Sequence, residues 1–526
     1  MATKELKYFN NRLMGSLTPE VCKNLETVIA LKEQQSPIKA LKKTIFTLED
    51  RIVQEVLESE VNIPIEDRPV GELTDGQTLT VGFAYIAEDC LIGDSVGLGK
   101  TVETSALINL KRKEKFEKFG NIQGYRVLML TENALVEQLQ HELIKFTGEY
   151  VYALNGDKAS SKRFAKKYPN GVDGTVVGSH SLINQSEFYS WMDSLQDGDK
   201  DFKVFDLLVV DESSILGNTK TQTYKNALKL KNYVNNVVLL NASPFESNLD
   251  YLYSQIKYVD EDFLPTKTVF QKNYYMYDYN NIGGYGRFNG NYKNYEEFKY
   301  RVNYRYFFQT RKEQGAIVKN VKSEILTVPQ SREQRQLIKE SSMNRMIYDT
   351  PAIIAPWLIT DEENTPKLKL LRQVLSKAGI ERGEQVLIYS VYKDSQQIIS
   401  DFITSTLGYS CEILNGDIKR KRSEIINNFK QNKIPILITN IQKGLNFGSV
   451  KNIVFYGYDP NPSKMIQMEG RVTRSFNIEN KNIYLLATEG KEINTIKSIV
   501  AKRYDYTTKF ASQDISGIGS LLLDSL

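Results

Sequence analysis

The nine residues Gly93-Asp94-Ser95-Val96-Gly97-Leu98-Gly99-Lys100-Thr101 constrain the fold more than any other stretch of this chain. The apolar pair Leu91-Ile92 precedes them, and a helix-like run over 102–110 follows. A strand, a glycine-rich turn, Lys-Thr and then a helix can aim backbone N–H groups at phosphate oxygens. Lys100 then adds a point charge for the β- and γ-phosphates, and the Thr101 hydroxyl can ligate Mg2+. The strict G-x-x-x-x-G-K-T spacing is broken at its first glycine, so Asp94, Ser95, Val96, Gly97, Leu98, Gly99, Lys100 and Thr101 are candidate ATP contacts on composition and context together.

Two later segments carry complementary chemistry. Val209-Val210-Asp211-Glu212 closes an apolar run that reads as a buried parallel strand. Acidic residues at the carboxyl end of such a strand meet a nucleotide held by a neighbouring strand's loop. Asp211 is expected to hold Mg2+ through water, and Glu212 to orient and deprotonate the attacking water. Downstream, Gln467-Met468-Glu469-Gly470-Arg471-Val472-Thr473-Arg474 puts two arginines three residues apart, on one helix face. An arginine aimed at a γ-phosphate stabilises the charge that spreads over it during transfer.

In this order the motifs resemble those of superfamily-two helicases. Asp94 to Thr101 is similar to the D-E-M-G-L-G-K-T loop of the Swi/Snf-type ATPases, and Leu73-Thr74-Asp75-Gly76-Gln77 to their L-R-x-x-Q segment. Leu128-Met129-Leu130-Thr131 resembles the segment that touches the nucleic-acid backbone, and Asp211-Glu212-Ser213-Ser214 stands where the family has D-E-A-H. Leu240-Asn241-Ala242-Ser243-Pro244 resembles L-T-G-T-P, and Ile436-Leu437-Ile438-Thr439-Asn440 and Gly444-Leu445-Asn446 are second-lobe features. The resemblance implies two RecA-like parallel-sheet lobes, with ATP and Mg2+ as cofactors. It implies Gln77 as an adenine contact and Lys100, Asp211, Glu212, Arg471 and Arg474 as catalytic residues. It also implies Thr101 and Asp211 at the metal, Ser243 and Gln467 as coupling residues, and Thr131, Ser179, Thr439 and Asn440 on nucleic acid. Three departures stand out. Ser213-Ser214 replaces Ala-His, removing a histidine that usually links the nucleotide site to the coupling motif; a glycine pair is missing before Gly444; and Gly470 stands where Asp is usual. The chain is read as a divergent, compact member rather than a chromatin remodeller.

At 526 residues and 41% hydrophobic content the chain can build two or three domains. A net charge of +4 means that any nucleic-acid contact comes from local patches. Cys22, Cys90 and Cys411 lie far apart with no metal spacing, as in a reduced, intracellular protein. With only His141 and His180, a histidine metal site or triad is disfavoured. No long apolar run suggests a membrane span, and the amino terminus lacks a secretory core, so a cytoplasmic monomer is expected. The Lys/Asn/Tyr-rich usage fits an AT-rich genome, such as that of a phage or virus.

The α/β organisation expected is an N-terminal helical region over 1–61, a first lobe over 62–330, a helical linker over 331–364, a second lobe over 365–500 and a tail over 501–526. First-lobe strands are expected at 126–130, 175–178, 206–210 and 236–240, and second-lobe strands at 385–389, 434–439, 453–456 and 483–487. Ten tyrosines fall between Tyr274 and Tyr306, within an insert over 271–307. Interleaved with cations, they could clamp unpaired bases or pack as a surface element. The expected function is a DNA helicase or translocase in replication, recombination or repair, acting on single-stranded, forked or branched DNA. The alternatives are an RNA helicase, or a duplex translocase that displaces proteins without separating strands.

Overall fold

The computed structural model describes residues 73–119, 125–245, 248–278, 287–308, 321–332, 335, 365–418, 421–441, 447, 450–458, 468, 481–490, 492–494 and 497. The chain divides into two compact units, one ending at Gly315 and the next beginning at Ala316.

The first unit is built on β1 (Cys90–Ile92), β2 (Val127–Thr131), β3 (Val151–Leu154), β4 (Thr175–Ser179), β5 (Phe205–Asp211), β6 (Val234–Leu240) and, after the hairpin β7 (Tyr275–Asp278) and β8 (Arg287–Tyr292), β9 (Tyr306–Phe307). The order is β3-β4-β2-β5-β6-β1-β9. Every pairing in it is parallel. Strands covered on both faces need apolar residues at every position, and β1, β2 and β4 are buried throughout. Helices α1 (Asp75–Ala87), α2 (Lys100–Phe119) and α3 (Val136–Thr147) bring Val81, Ile108 and Leu143 into the core formed by Val127, Met129, Val209 and Val238.

The second unit repeats the design. Its strands are β10 (Val321–Val328), β11 (Val386–Tyr389), β12 (Cys411–Leu414), β13 (Ile436–Thr439), β14 (Asn452–Phe455) and β15 (Lys481–Thr488), ordered β10-β15-β14-β11-β13-β12 and all parallel. The helix leading into β11 starts on Pro366, whose fixed φ suits a first helical turn.

All eight strands expected in the two lobes form within two residues of their expected limits. The lobe boundary differs. The expected first lobe runs to 330, yet β10 pairs along its whole length with β15 of the second sheet. The reason is that β10 is an edge strand, only partly buried, so it lacks the continuous apolar run that marks the central strands. The regions expected over 1–61 and 501–526 lie outside the described residues, as does nearly all of the linker over 331–364.

The tyrosine-rich segment is partly core. Tyr274, Tyr275, Tyr292 and Tyr306 are buried. Tyr274 and Tyr275 pack around Phe270. The Tyr275 hydroxyl donates to Asp250 Oδ1 at 2.7 Å, and Tyr292 Oη accepts from Leu249 N at 3.3 Å, both on the helix Leu249–Val259. These rings are therefore spent on packing. Arg305, one of the cations of this segment, pairs with Asp260 at 3.0 Å. The glycine-rich turn over 279–286 lies outside the described residues.

In the second unit Lys367 is 1% exposed and pairs with the buried Glu492. Glu492 also accepts from Thr488 N and Oγ1, each at 2.7 Å. The ammonium lies 4.8 Å from the Tyr456 ring centroid. Burial pulls the Lys367 pKa below its ordinary value, and the Glu492 charge opposes that pull. Removing one partner of a buried pair costs more than the pair contributes, because the survivor stays buried and charged. Lys367→Met should therefore lower stability by about 3–5 kcal/mol in urea unfolding. A loss below about 1 kcal/mol, the range of exposed pairs, would show that the pair is solvated.

Candidate nucleotide site

Parallel pairing brings distant residues into one line at the carboxyl ends of the first sheet. Asp211 is in register with Leu240, and Leu240 with Ile92. The phosphate-loop candidate follows Ile92, Glu212 follows Asp211, and Asn241 follows Leu240. Neighbouring strands lie about 4.8 Å apart, so Asp211 stands roughly 10 Å from the strand that launches the loop. That gap accommodates a phosphate and a hydrated cation.

The loop itself is pre-shaped. Gly97 and Gly99 have φ of 89° and 99°, left-handed values that cost a side-chain-bearing residue free energy. Lys100 opens α2, whose first turn is set by Val102 N donating to Gly99 O at 2.7 Å. Lys100 Nζ donates to Asp94 O at 2.9 Å, so the ammonium folds back over the loop. Anion-seeking N–H groups at the α2 start and this charge share one small volume.

Two expected ATP contacts serve the loop from behind. Asp94 is fully buried and accepts from Thr80 Oγ1 of α1 at 2.6 Å. Gln77 is 4% exposed; its Nε2 donates to Leu98 O at 2.9 Å and its Oε1 accepts from Thr74 N at 3.1 Å. Gln77, expected at the adenine, forms a capping box with Thr74 and also ties α1 to the loop through Leu98. On the other side, Gly93 N donates to Phe307 O at 2.7 Å. Gly93 must lack a side chain, because a Cβ there would lie 2.5 Å from the Tyr306 ring.

The acidic pair is held as firmly. Thr131 Oγ1 donates to Asp211 Oδ2 at 3.1 Å, and His180 Nε2 lies 2.7 Å from Asp211 O. Glu212 has φ of 50°, a left-handed conformation for a non-glycine residue. Such strain, of order 1–3 kcal/mol, persists only where surroundings enforce it, and it turns the chain sharply just past the strand end. His180 and Thr131 were not anticipated in this role.

Three of the side chains expected on nucleic acid are buried. Thr131 and Thr439 are 0% exposed and Ser179 2%. Thr131 serves Asp211, Ser179 Oγ accepts from Ser181 N at 3.3 Å, and Thr439 Oγ1 donates to Leu414 O at 2.7 Å. Their hydroxyls bond to groups at the strand ends. Asn440 is half-buried and donates to Val391 O at 3.1 Å. Ser243 is buried and its amide donates to Asn241 Oδ1 at 2.9 Å. Gln467, Arg471 and Arg474 lie outside the described residues.

Mg2+ prefers oxygen ligands, and beside a nucleotide it takes one or two from protein and the rest from phosphate and water. The Thr101 hydroxyl and the Asp211 carboxylate suit that role. Among the described residues no group of three His, Cys, Asp or Glu side chains gathers into a protein cage. Among them, too, no helix is long and apolar enough to cross a membrane.

The SNF2-related domain matches residues 23–393, over half of the chain, and the helicase conserved C-terminal domain matches residues 366–476. The chain belongs to the SNF2-related family. An SNF2-related relative from Xenopus tropicalis, a SWI/SNF-related matrix-associated actin-dependent regulator of chromatin subfamily A-like protein 1, is 23% identical over 473 residues, covering 82% of this chain and 44% of its own length. A putative ATP-dependent helicase/translocase, YwqA of Bacillus subtilis, is 20% identical over 82% of this chain and 48% of its own. The chain thus spans under half the length of both relatives. The SWI2/SNF2 ATPase core of Sulfolobus solfataricus in complex with dsDNA overlaps it with a TM-score of 0.39 at 16% identity, over 86% of this chain and 95% of the other. The chain carries both domains of a helicase-type ATPase of the SNF2-related family, in two parallel-sheet units.

Proposed function

We propose that this protein hydrolyses ATP with Mg2+ to drive movement along DNA. The observation that carries this reading is the register line Asp211–Leu240–Ile92, which sets the acidic pair beside a loop already curved around the Lys100 ammonium. Lys100 and the α2 amides bind the phosphates, Thr101 and Asp211 share the cation, and Glu212 accepts the proton of the attacking water. Arg471 and Arg474 supply the positive charge that the transition state needs.

DNA is the favoured track. Relatives carry names of DNA repair and recombination and of helicase/translocase action. With little net charge overall, a local basic surface must hold phosphates. The helix Lys158–Lys167 offers one, with Lys158, Lys162, Arg163, Lys166 and Lys167 all exposed and no acidic residue among its ten. It lies beside edge strand β3, near the exposed Tyr150. Such contacts read the backbone rather than the sequence, as a translocating protein requires.

The test is steady-state ATPase with single-stranded DNA, duplex, forked DNA and RNA as separate stimulants. DNA should raise turnover by about tenfold or more, the equivalent of about 1.4 kcal/mol of barrier. Stimulation by RNA alone would reassign the track. No stimulation by any nucleic acid would overturn the reading.

A further inference from the structure

Glu212 and the coupling motif are joined through a buried amide that neither the motifs nor the family comparison marks. Gln255, on the helix Leu249–Val259, is 0% exposed. Its Oε1 accepts from Ser213 Oγ and from Asn241 Nδ2, each at 2.8 Å. Its Nε2 donates to Pro244 O at 2.9 Å and to Tyr251 O at 3.0 Å. Both lone pairs and both N–H groups of the amide are used, so it can sit in one orientation only. Asn241 extends the chain of bonds: its N donates to Ile92 O at 2.9 Å, at the root of the phosphate loop, and its Oδ1 accepts from Ser243 N.

Two positions in this network, Ser213 and Asn241, carry residues that differ from the D-E-A-H and L-T-G-T-P patterns. Alanine at 213 could not donate to Gln255. The neighbouring Ser214 stands where the linking histidine is missing. We propose that Gln255 is a positioning residue that replaces that link, transmitting the state of the Glu212 turn to the segment 241–245 through Ser213 and Asn241. The inference rests on the nucleotide site described above. A hydrogen bond in a dry interior is strong and directional, and it cannot stretch far before the Gln255 amide loses a partner. Displacement of the 212–213 turn by nucleotide therefore has to move Gln255, and Gln255 moves Asn241 and Pro244 with it. One atom is placed to register that shift: Ser243 Oγ is buried and has no hydrogen-bond partner among the described residues.

The relay is tested by hydrogen–deuterium exchange of the full chain, with and without a non-hydrolysable ATP analogue and Mg2+, in wild type, Ser213→Ala, Gln255→Leu and the double variant. In wild type the analogue should slow exchange over both 93–103 and 241–245. In Ser213→Ala and in Gln255→Leu the protection of 93–103 should persist, while the response of 241–245 falls by about fivefold or more. The double variant should be no worse than the stronger single one, as expected of residues acting in one chain of bonds. ATP turnover should fall in both single variants with little change in KM. An unchanged response of 241–245 in Ser213→Ala, which removes one oxygen and leaves the core filled, would overturn the relay. So would the absence of any response there in wild type when 93–103 is protected. Absence of protection at 93–103 in wild type would instead sink the nucleotide site, and the relay with it.

Discussion

Glu212→Gln should bind ATP about as well as the unaltered protein and hydrolyse it about 10²–10⁴-fold more slowly, the usual share of a general base. The left-handed turn at Glu212 fixes where this side chain starts, and the amide keeps its size while losing its basicity. The variant leaves unchanged Asp211 and Lys100, the proposed ligands of the cation and the phosphates. Binding is read with a fluorescent ATP analogue and hydrolysis by phosphate release in a single turnover. Turnover within about tenfold of the parent would remove Glu212 as the base, because that residue is then worth less than about 1.4 kcal/mol in the transition state.

Arg474→Ala should produce the second large effect, a fall in turnover of about 10³–10⁵-fold, as for arginines that neutralise a transferring phosphoryl group. Its signature is the split between constants. Charge builds on the phosphoryl oxygens mainly in the transition state, so an arginine placed for that moment changes kcat far more than ATP affinity. Arg474→Lys should recover little, because an ammonium lacks the planar fork that grips two oxygens. Equal losses in affinity and turnover would instead show a ground-state contact.

Local chemistry was readable in advance and non-local chemistry was not. The phosphate loop, the strand ending in Asp211-Glu212 and the paired strands of both sheets follow from contiguous residues: a glycine turn, an apolar run, a carboxylate at its end. What escaped notice depends on partners far along the chain. Thr131 reaches Asp211 across 80 residues, and Ser213 reaches Gln255 across 42. A buried threonine at a strand end looks the same in sequence whether it faces solvent, DNA or a neighbouring carboxylate. Thr131, Ser179 and Thr439 are of this kind: the sequence suits them to nucleic acid, and the fold buries all three. The edge strand β10 escapes the sequence reading for a related reason: it is partly exposed along its length, and polar residues interrupt the apolar run that betrays a central strand. In sequence, the tyrosines of the insert suit a stacking surface and a packed element equally, because aromatic rings fit both bases and cores. Only their hydroxyl partners, such as Asp250 for Tyr275, separate the two uses.

Conversion of ATP hydrolysis into movement along DNA can be read from release of a fluorescent third strand from a DNA triplex whose flanking duplex offers a loading track. Release should require ATP and Mg2+ and a flanking duplex, and it should vanish in Lys100→Ala and in Glu212→Gln. DNA-stimulated hydrolysis by the parent protein with no release from any flanked triplex would contradict the claim.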